Sequence, residues 1–185
     1  GSRQSKGRAI VNLLPFRQDE YVRAVIATRN FEEAKYLVCA TRKGIVKKTE
    51  FRAYNTPLKA DGIIAIKLRE DDELIGVRLA GDGDDVLMVS RLGQTVRFHG
   101  KQARAMGRDT SGVAGMKLRA GDEVIEVDIA DDDADLLVVT ENGYGKRTRV
   151  GDYPVKGRGT MGVKTVQLVE RKGRLAGARI VRDGY

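Results

Sequence analysis

Short runs of alternating apolar and polar residues recur along this chain. In the segment GIIAIKL, which begins at Gly62, the apolar residues at 64, 66 and 68 share one face of an extended chain, while Lys67 points to the other. An acidic turn follows at 70–73, and apolar residues then alternate again at 75, 77 and 79. The pattern predicts a pair of half-buried β-strands joined by a turn.

A second kind of strand follows. The runs YLVCA (36–40), VLMVS (86–90) and LLVVT (136–140) are apolar without alternation, which is typical of strands buried on both faces. Each run reaches a glycine soon afterwards, at Gly44, Gly93 and Gly143, and a polar strand returns from it. Glycine favours the positive φ of tight hairpin turns. We therefore predict three hairpins at equivalent places in three units.

These strands belong to a repeat. Glycine-initiated segments begin at Gly7 (GRAIVNL), Gly62 (GIIAIKL), Gly112 (GVAGMKL) and Gly162 (GVKTVQL), at steps of 55, 50 and 50 residues. Short strands that recur at such a period predict an all-β fold, a propeller-like array of four-stranded blades. A β-sandwich is the alternative, but a sandwich needs no self-similarity at a fixed period.

One repeat domain accounts for the chain. We interpret residues 1–6 as a tag remnant and lead-in, and 7–185 as a single domain with units at about 7–54, 62–104 and 112–153 and a partial unit at 162–185. Because the last unit stops after its strand pair, we expect an incomplete array with open sheet edges. Open edges pair readily with other chains, so we also expect self-association.

The positive charge follows the same period. The formal net charge is +8, and the hairpin segments 42–52, 91–104 and 141–149 together hold twelve bases and two acids. Four residues after each hairpin glycine lies a base: Lys48, Arg97 and Arg147. Equivalent positions of a repeat occupy equivalent places on successive blades. These bases therefore predict an exposed basic rim, suited to the phosphates of duplex DNA.

Eight residues are candidates for phosphate contacts. On the hairpins they are Lys47, Lys48, Arg97, Lys146 and Arg147, and on adjoining loops Arg104, Arg108 and Arg158. Their expected role is charge neutralisation and not base readout. Two other interpretations stay open. Exposed strands carry Lys and Arg to protect their edges, and a propeller with a basic rim can bind an acidic protein surface.

The sequence offers no residues for catalysis or metal binding. With one histidine and one cysteine, Cys39, the chain can form neither a His-rich metal site nor an intrachain disulfide. The stretch at 157–162 lacks the Lys-Ser/Thr pair of a P-loop, and the acidic run 131–133 lacks the pattern of a calcium loop. No apolar run approaches the roughly 20 residues that span a membrane. We therefore expect no cofactor, metal or membrane contact.

Longer motifs give the chain a family resemblance. It is similar to the C-terminal domains of DNA gyrase A subunits over almost its whole length, in the segments NLLPF (12–16), YLVCATRKGIVKKTEF (36–51), IIAIKLREDDELIGV (63–77), RAMGRDTSGVAGMKL (104–118) and ENGYGKRTRVGDYPVKGRGTMGVKT (141–165). The resemblance implies a β-pinwheel, in which each blade borrows a strand from the adjacent repeat. It also implies a non-catalytic module that binds and wraps duplex DNA on its basic perimeter.

The resemblance implies a context as well. The parent enzyme would be an ATP-dependent type II topoisomerase that introduces negative supercoils, with ATP and magnesium as its cofactors. Its partners would be the gyrase B subunit, together with the rest of the gyrase A subunit. A bacterial, cytoplasmic and nucleoid-associated location follows from the same resemblance.

One motif departs from the family. The family's basic box, Gln-Arg-Arg-Gly-Gly-Lys-Gly or close to it, is needed for wrapping, and the nearest match is KGRGTMG at 156–162. Only Arg158, Gly159 and Gly162 fit the box, so the stretch resembles a degenerate form of it. The alternative interpretation is an inter-blade turn that needs glycines. Without the box, the C-terminal domain of the topoisomerase IV A-type subunit stays an alternative.

Overall fold

The computed structural model describes residues 9–16, 24–28, 34–55, 63–166 and 173–182, with side chains for 34–55, 65–166 and 173–182. Within these ranges the chain forms strands and short 3₁₀ turns and no α-helix, which confirms the all-β prediction. The strands are β1 (Ala9–Phe16), β2 (Ala24–Thr28), β3 (Tyr36–Thr41), β4 (Ile45–Glu50), β5 (Ile63–Lys67), β6 (Leu74–Ala80), β7 (Asp85–Ser90), β8 (Gln94–His99), β9 (Val113–Ala114), β10 (Val124–Ile129), β11 (Asp135–Thr140), β12 (Gly145–Arg149), β13 (Val163–Lys164) and β14 (Leu175–Val181). The 3₁₀ turns span Phe51–Tyr54, Gly100–Gln102 and Val150–Asp152.

Three antiparallel hairpins form where the sequence predicts them. They pair β3 with β4, β7 with β8 and β11 with β12. At the turns, Gly44, Gly93 and Gly143 have φ values of 92°, 90° and 87°. Residues with a Cβ rarely adopt this backbone conformation, which explains the glycine at each turn.

Each hairpin is the centre of a sheet, and we name these sheets the first, second and third blades. The first has the strand order β6-β3-β4-β9 and the second the order β10-β7-β8-β13. The predicted four-stranded blade is therefore confirmed twice. The third blade has the order β12-β11-β14 and contains three strands within the described residues.

A strand crosses from each repeat to the blade before it. β9 follows the second hairpin in the chain, yet it pairs with β4 of the first blade, with Ala114 opposite Ile45. β13 follows the third hairpin and pairs with β8 of the second blade, with Val163 opposite Thr95. We call β9 and β13 the donor strands. Through them the first and second blades obtain their fourth strand from the next repeat.

Each donor strand follows a glycine that touches the preceding blade. Gly112 has a φ of 90° and Gly162 a φ of 70°. A Cβ on Gly112 would lie 2.5 Å from the carbonyl oxygen of Val46, and a Cβ on Gly162 would overlap the carbonyl oxygen of Thr95. Both the left-handed backbone and the missing side chain are needed at this contact.

Apolar cores lie between neighbouring blades. One core packs Val46 of the first blade with Met88 and Phe98 of the second. Another packs Leu87 of the second blade with Leu136 of the third. A further cluster covers the other face of the first blade, around its 3₁₀ turn. The described core is thus divided among interfaces between adjacent units, as expected for a repeat array.

Burial of the central strands follows from this stacking. β3 and β7 each have five consecutive buried residues, because apolar clusters pack on both of their faces. In β11 burial alternates, and Val139 is 38% exposed. The prediction of burial on both faces is therefore confirmed for β3 and β7 and wrong for β11. No other blade covers the second face of β11 among the described residues.

A fourth sheet has the order β2-β1-β5, and its strands β1 and β2 precede the blades in the chain. Its antiparallel pair of β1 and β2 lies in the glycine-initiated copy that starts at Gly7. β5 pairs with β1 in parallel, with Leu13 opposite Ile63. The two donor strands pair instead with the outer strand of a hairpin, so the repeat alone did not predict this arrangement.

The substitution Gly162→Ala tests the donor contact. The new Cβ would meet the carbonyl group of Thr95 and would also carry the cost of a left-handed backbone. We expect the free energy of unfolding to fall by about 3 kcal/mol or more, measured by urea denaturation. Gly143→Ala is the matched control, since nothing lies within 4 Å of its Cβ position, and it should cost about 1–2 kcal/mol. Equal losses for the two variants would contradict the donor contact.

Candidate nucleic-acid interface

Two of the three bases in repeat register are buried. Lys48 and Arg97 each expose 9% of their surface, and the adjacent Lys47 exposes 1%. Arg147, on β12, is exposed. The expectation that Lys48, Arg97 and Arg147 form one exposed stripe is therefore wrong for Lys48 and Arg97, and Lys47 is buried beside them.

Arg97 connects the second blade to the third. Its Nε donates to Oδ2 of Asp85 at 2.9 Å, and its Nη1 lies 2.6 Å from Oδ1 of Asp132. Nη1 also donates, at 3.1 Å, to the carbonyl oxygen of Val150, the first residue of the third blade's 3₁₀ turn. Two carboxylates and a carbonyl thus satisfy the guanidinium inside the protein, and its geometry does not present it to a phosphate.

Lys48 makes the same connection one blade earlier. Its Nζ donates at 3.0 Å to the carbonyl oxygen of Gly100, the first residue of the second blade's 3₁₀ turn. The Nζ also lies 4.4 Å from the centroid of the Tyr36 ring, in a cation–π contact. Burial is the main cause that lowers the pKa of the Lys48 ammonium below its ordinary value. The Lys48 ammonium group therefore serves to attach the first blade to the second.

Arg147 occupies the equivalent place on the third blade. Its Nε bonds to Oδ2 of Asp135, the counterpart of the bond between Arg97 and Asp85, and its side chain is 48% exposed. The repeat register therefore identified positions with a shared geometry. In the first two blades that geometry attaches one blade to the next.

Lys47 and Lys146 form a second equivalent pair. The Nζ of Lys47 donates to the carbonyl oxygens of Ala65 and Arg108, and burial is the main cause that lowers its pKa to about 8. The Nζ of Lys146 donates to the carbonyl oxygen of Thr165 at 2.8 Å, but Lys146 itself is exposed. Lys146 is thus accessible to a polyanion and Lys47 is not.

The loops after the hairpins carry the other predicted bases. We call residues 103–112 and 153–162 the rim loops, because each runs along the outer strand of the preceding blade. The backbone N–H of Met106 donates to the carbonyl oxygen of Lys48 at 2.7 Å, and that of Lys156 to the carbonyl oxygen of Arg97 at 2.8 Å. Equivalent hydrogen bonds thus hold the rim loops at the edges of successive blades.

Arg158 ties the two edges together. Its Nη1 donates to the carbonyl oxygen of Ala114, on a donor strand, at 2.6 Å. Its Nε donates to the carbonyl oxygen of Gln102 at 3.1 Å, and its backbone N–H to the Gln102 Oε1 at 2.6 Å. The second rim loop is therefore fixed to the edge of the first blade as well as to that of the second.

The rim loops and donor strands expose positive charge. Arg104 is exposed, and Arg108 and Arg158 are partly exposed. Sequence reasoning missed further exposed bases: Lys156 and Lys164 on the same segments, and Lys101, Lys117 and Arg119 directly before or after them. Within the described side chains, the ion pairs involve other bases than these eight.

A sequence signal for these bases existed. The segment 101–119 holds five bases and one acid, and 156–164 holds three bases and no acid. The charge count over the hairpin segments 42–52, 91–104 and 141–149 did not reveal this signal. It combined buried hairpin bases such as Arg97 with exposed loop bases such as Arg104.

The acidic turns compensate the bases near the hairpins. Glu123 lies 2.6 Å from Arg91 and 3.8 Å from Arg42, at two successive hairpin turns. Asp82 lies 2.6 Å from Lys35, at the other end of the first hairpin. Among the described side chains, eight exposed or partly exposed bases without a carboxylate partner therefore lie on or beside the rim loops and donor strands. Six more lie elsewhere: Lys43, Lys67, Arg69, Lys146, Arg149 and Arg179.

The described part of the chain contains no group of three His, Cys, Asp or Glu side chains placed to hold a metal ion. A helix of the length and apolar character that a membrane crossing requires is likewise not found among the described residues.

The substitutions Arg97→Met and Arg147→Met compare one repeat position in two surroundings. Arg97→Met should lower the free energy of unfolding by about 2–4 kcal/mol, because the half-buried Asp85 and the Val150 carbonyl lose the guanidinium. Arg147→Met should cost less, about 1 kcal/mol, because the Arg147 side chain is 48% exposed and solvent weakens its interactions. Urea denaturation measures both values. A loss for Arg147→Met that equals or exceeds that for Arg97→Met would contradict the attachment role.

Comparison with known proteins identifies the family. A family model described as "DNA gyrase C-terminal domain, beta-propeller" matches residues 35–80, 84–131 and 134–182. Among curated proteins, the DNA gyrase A subunit of Nocardioides sp. is 51% identical over 112 residues, which are 59% of this chain and 12% of that protein. The DNA gyrase A subunit of Mycobacterium tuberculosis is 44% identical over 112 residues, 60% of this chain and 13% of that protein. The matched region is thus a small part of each relative.

Solved structures show the same architecture. The C-terminal domain of a DNA topoisomerase IV superimposes with a TM-score of 0.80 at 26% identity, covering 92% of this chain and 53% of that one. A DNA gyrase A C-terminal domain superimposes with a TM-score of 0.74 at 26% identity, covering 90% of this chain and 56% of that one. The strand exchange, the three repeated units and the matched family model lead to one conclusion: the chain belongs to the family of DNA gyrase C-terminal domains.

Proposed function

We propose that this chain is a duplex-DNA-binding and wrapping module of a DNA gyrase A subunit, and that it binds without reading base sequence. The observation that carries the proposal is a band of exposed bases on and beside the rim loops and donor strands, which have no carboxylate partner among the described side chains. Bases of this kind neutralise phosphates and release condensed counterions, which favours binding to any duplex.

The geometry of the band supports a curved path for the DNA. Its segments lie at the outer edges of two successive blades and are joined by Arg158, so the bases are held on a rigid frame. A protein that bends DNA must offset the bending energy with contacts spread along the bend. Histones wrap DNA without base-specific contacts. A repeated edge of this kind supplies contacts at regular intervals.

The candidate set for phosphate contacts changes accordingly. We propose Arg104, Arg108, Lys146, Arg147 and Arg158 from the sequence, together with Lys101, Lys117 and Lys156. Lys47, Lys48 and Arg97 support the frame from inside, since they are buried and their charged groups donate to backbone carbonyls of the protein.

The wider context is also a proposal. In a whole gyrase, this module would hold DNA for negative supercoiling by the enzyme in the bacterial cytoplasm, close to the nucleoid. Its partners there would be the gyrase B subunit, together with the rest of the gyrase A subunit. ATP and magnesium would act elsewhere in that enzyme, and the chain itself would need no cofactor. Both the family model and the curated relatives carry the gyrase name, which favours gyrase over topoisomerase IV.

Salt titration of DNA binding tests the proposal. We expect the logarithm of the association constant for a mixed-sequence duplex to fall with the logarithm of salt concentration, with a slope of about −4 to −5 for roughly five neutralised phosphates. The double variant Arg104→Ala/Lys156→Ala should reduce the size of that slope by about 2, uniformly across sequences. Fluorescence anisotropy measures both.

The matched control is Lys43→Ala/Arg182→Ala, which removes the same charge at a hairpin turn and after β14. Its slope should stay close to that of the unchanged chain. Equal effects of the two double variants would show that net charge, and not the rim, determines binding. A slope near zero would contradict DNA binding through phosphates and would favour a protein-interaction propeller.

A further inference from the structure

Gln102 holds the second rim loop through its side-chain amide. It is the last residue of the second blade's 3₁₀ turn, and it is exposed. Its Oε1 accepts from the backbone N–H of Arg158 at 2.6 Å, and its Nε2 donates to the carbonyl oxygen of Lys156 at 3.3 Å. A carboxamide carries a donor and an acceptor on one planar group, so it can bind the N–H and the carbonyl of one backbone segment at the same time.

The segment that Gln102 binds is also held from its other sides. Two further backbone hydrogen bonds, both of 2.8 Å, join the Lys156 N–H to the carbonyl oxygen of Arg97 and the Gly159 N–H to that of Gly115. With the two bonds to Gln102, the backbone of residues 156–159 is therefore fixed at four points. Two residues of this segment, Lys156 and Arg158, belong to the band of exposed bases. Gln102 thus determines where two charges of the band lie, although it carries no charge itself.

The equivalent residue of the first blade has no amide. The third residue of the 3₁₀ turn is Gln102 in the second blade and Ala53 in the first. The first rim loop nevertheless follows the edge of its blade, through the hydrogen bond from Met106 to Lys48. The course of a rim loop therefore does not require the glutamine. What Gln102 adds is a restraint on the 156–159 segment.

The amide of Gln102 is already engaged within the protein. A glutamine that reads a base uses its amide oxygen and nitrogen together, as in bidentate pairing with adenine. In Gln102 both atoms are bonded to the backbone of the second rim loop. Its contribution to DNA binding is therefore indirect, through the position of Lys156 and Arg158.

A loop that is fixed before binding favours affinity. A segment that becomes ordered on binding loses conformational entropy at that step, whereas a segment that is ordered beforehand does not. The phosphates of a duplex recur at a regular spacing, so bases that are spaced in advance can meet them without rearrangement. The restraint on the 156–159 segment supplies such spacing for Lys156 and Arg158.

We propose that Gln102 is a positioning residue for DNA binding. It holds the second rim loop in the arrangement in which Lys156 and Arg158 meet phosphates, and it contributes affinity without contributing charge. This role of Gln102 rests on the proposed binding of duplex DNA by the band of exposed bases.

The variant Gln102→Met removes the amide and keeps a side chain of similar length. We expect its affinity for a mixed-sequence duplex to fall about three- to tenfold, the factor that corresponds to ordering a flexible side chain at an interface. The salt slope of binding should stay that of the unchanged chain, because no charge is removed. Lys156→Ala, in contrast, should reduce the size of the slope by about 1. Fluorescence anisotropy measures the affinity and the slope.

Hydrogen exchange tests the restraint in the absence of DNA. In Gln102→Met the Arg158 amide loses its acceptor, so we expect it to exchange about fivefold faster, the factor that corresponds to one net hydrogen bond. The Met106 amide of the first rim loop should exchange at an unchanged rate. The urea midpoint should also stay close to that of the unchanged chain, because both bonds to Gln102 are exposed.

The matched control is Asn142→Leu. It also removes an exposed amide without changing the net charge, at the hairpin turn of the third blade. It places there the residue type that the second hairpin carries at Leu92. Neither the DNA affinity nor the exchange of the Arg158 amide should change in this variant.

The role of Gln102 and DNA binding itself can fail separately. Equal affinities of Gln102→Met and the unchanged chain, both with a slope of about −4 to −5, would overturn the role of Gln102 and leave DNA binding intact. A slope near zero for the unchanged chain would overturn both.

Further results would also contradict the positioning role. A smaller slope in Gln102→Met would mean that phosphate contacts are lost, and an equal loss of affinity in Asn142→Leu would mean a general effect of removing an amide. A large fall in the urea midpoint of Gln102→Met would assign Gln102 to the stability of the fold. Unchanged exchange of the Arg158 amide would show that Gln102 does not restrain the loop.

Discussion

The structure depends on the strand that each repeat gives to the blade before it. The exchange places Gly112 and Gly162 against carbonyl groups of the preceding blade, where a side chain has no room. It also brings the 3₁₀ turns within reach of Lys48 and Arg97, whose charged groups bond to their first carbonyls. Backbone pairing, glycine stereochemistry and buried cations thus act on the same interface. A repeat array gains its stability from such neighbour contacts.

This constraint separates the bases into two groups. Bases on β4 and β8 lie between blades, where burial penalises a charge that lacks partners, and they bond to carbonyls and carboxylates. Bases on the rim loops and donor strands lie outside the stacked blades and keep their charge in solvent. The acidic turns compensate the hairpin bases and leave the outer band positive. The proposed DNA binding and the stability of the fold therefore depend on different bases of the same repeat.

The sequence predicted the parts of the fold that depend on local periodicity. Alternation, the hairpin glycines and the 50-residue repeat indicated blades, and family resemblance added the borrowed strand. Exposure was not predictable in the same way. Lys48, Arg97 and Arg147 are equivalent in sequence, but their burial depends on whether another blade packs against them. The same reason explains why VLMVS is buried on both faces and LLVVT on one. The pairing of β5 with β1 also depends on tertiary contacts, which no local sequence pattern predicts.

The division of bases into two groups is the central claim, and lysine footprinting tests it most directly. The folded chain would be acetylated with and without duplex DNA, and the modified lysines located by mass spectrometry. We expect Lys101 and Lys156 to react in the free chain and to be protected by DNA, while Lys47 and Lys48 stay unreactive in both states. Reaction of Lys47 and Lys48 in the free chain, with protection by DNA, would contradict this expectation.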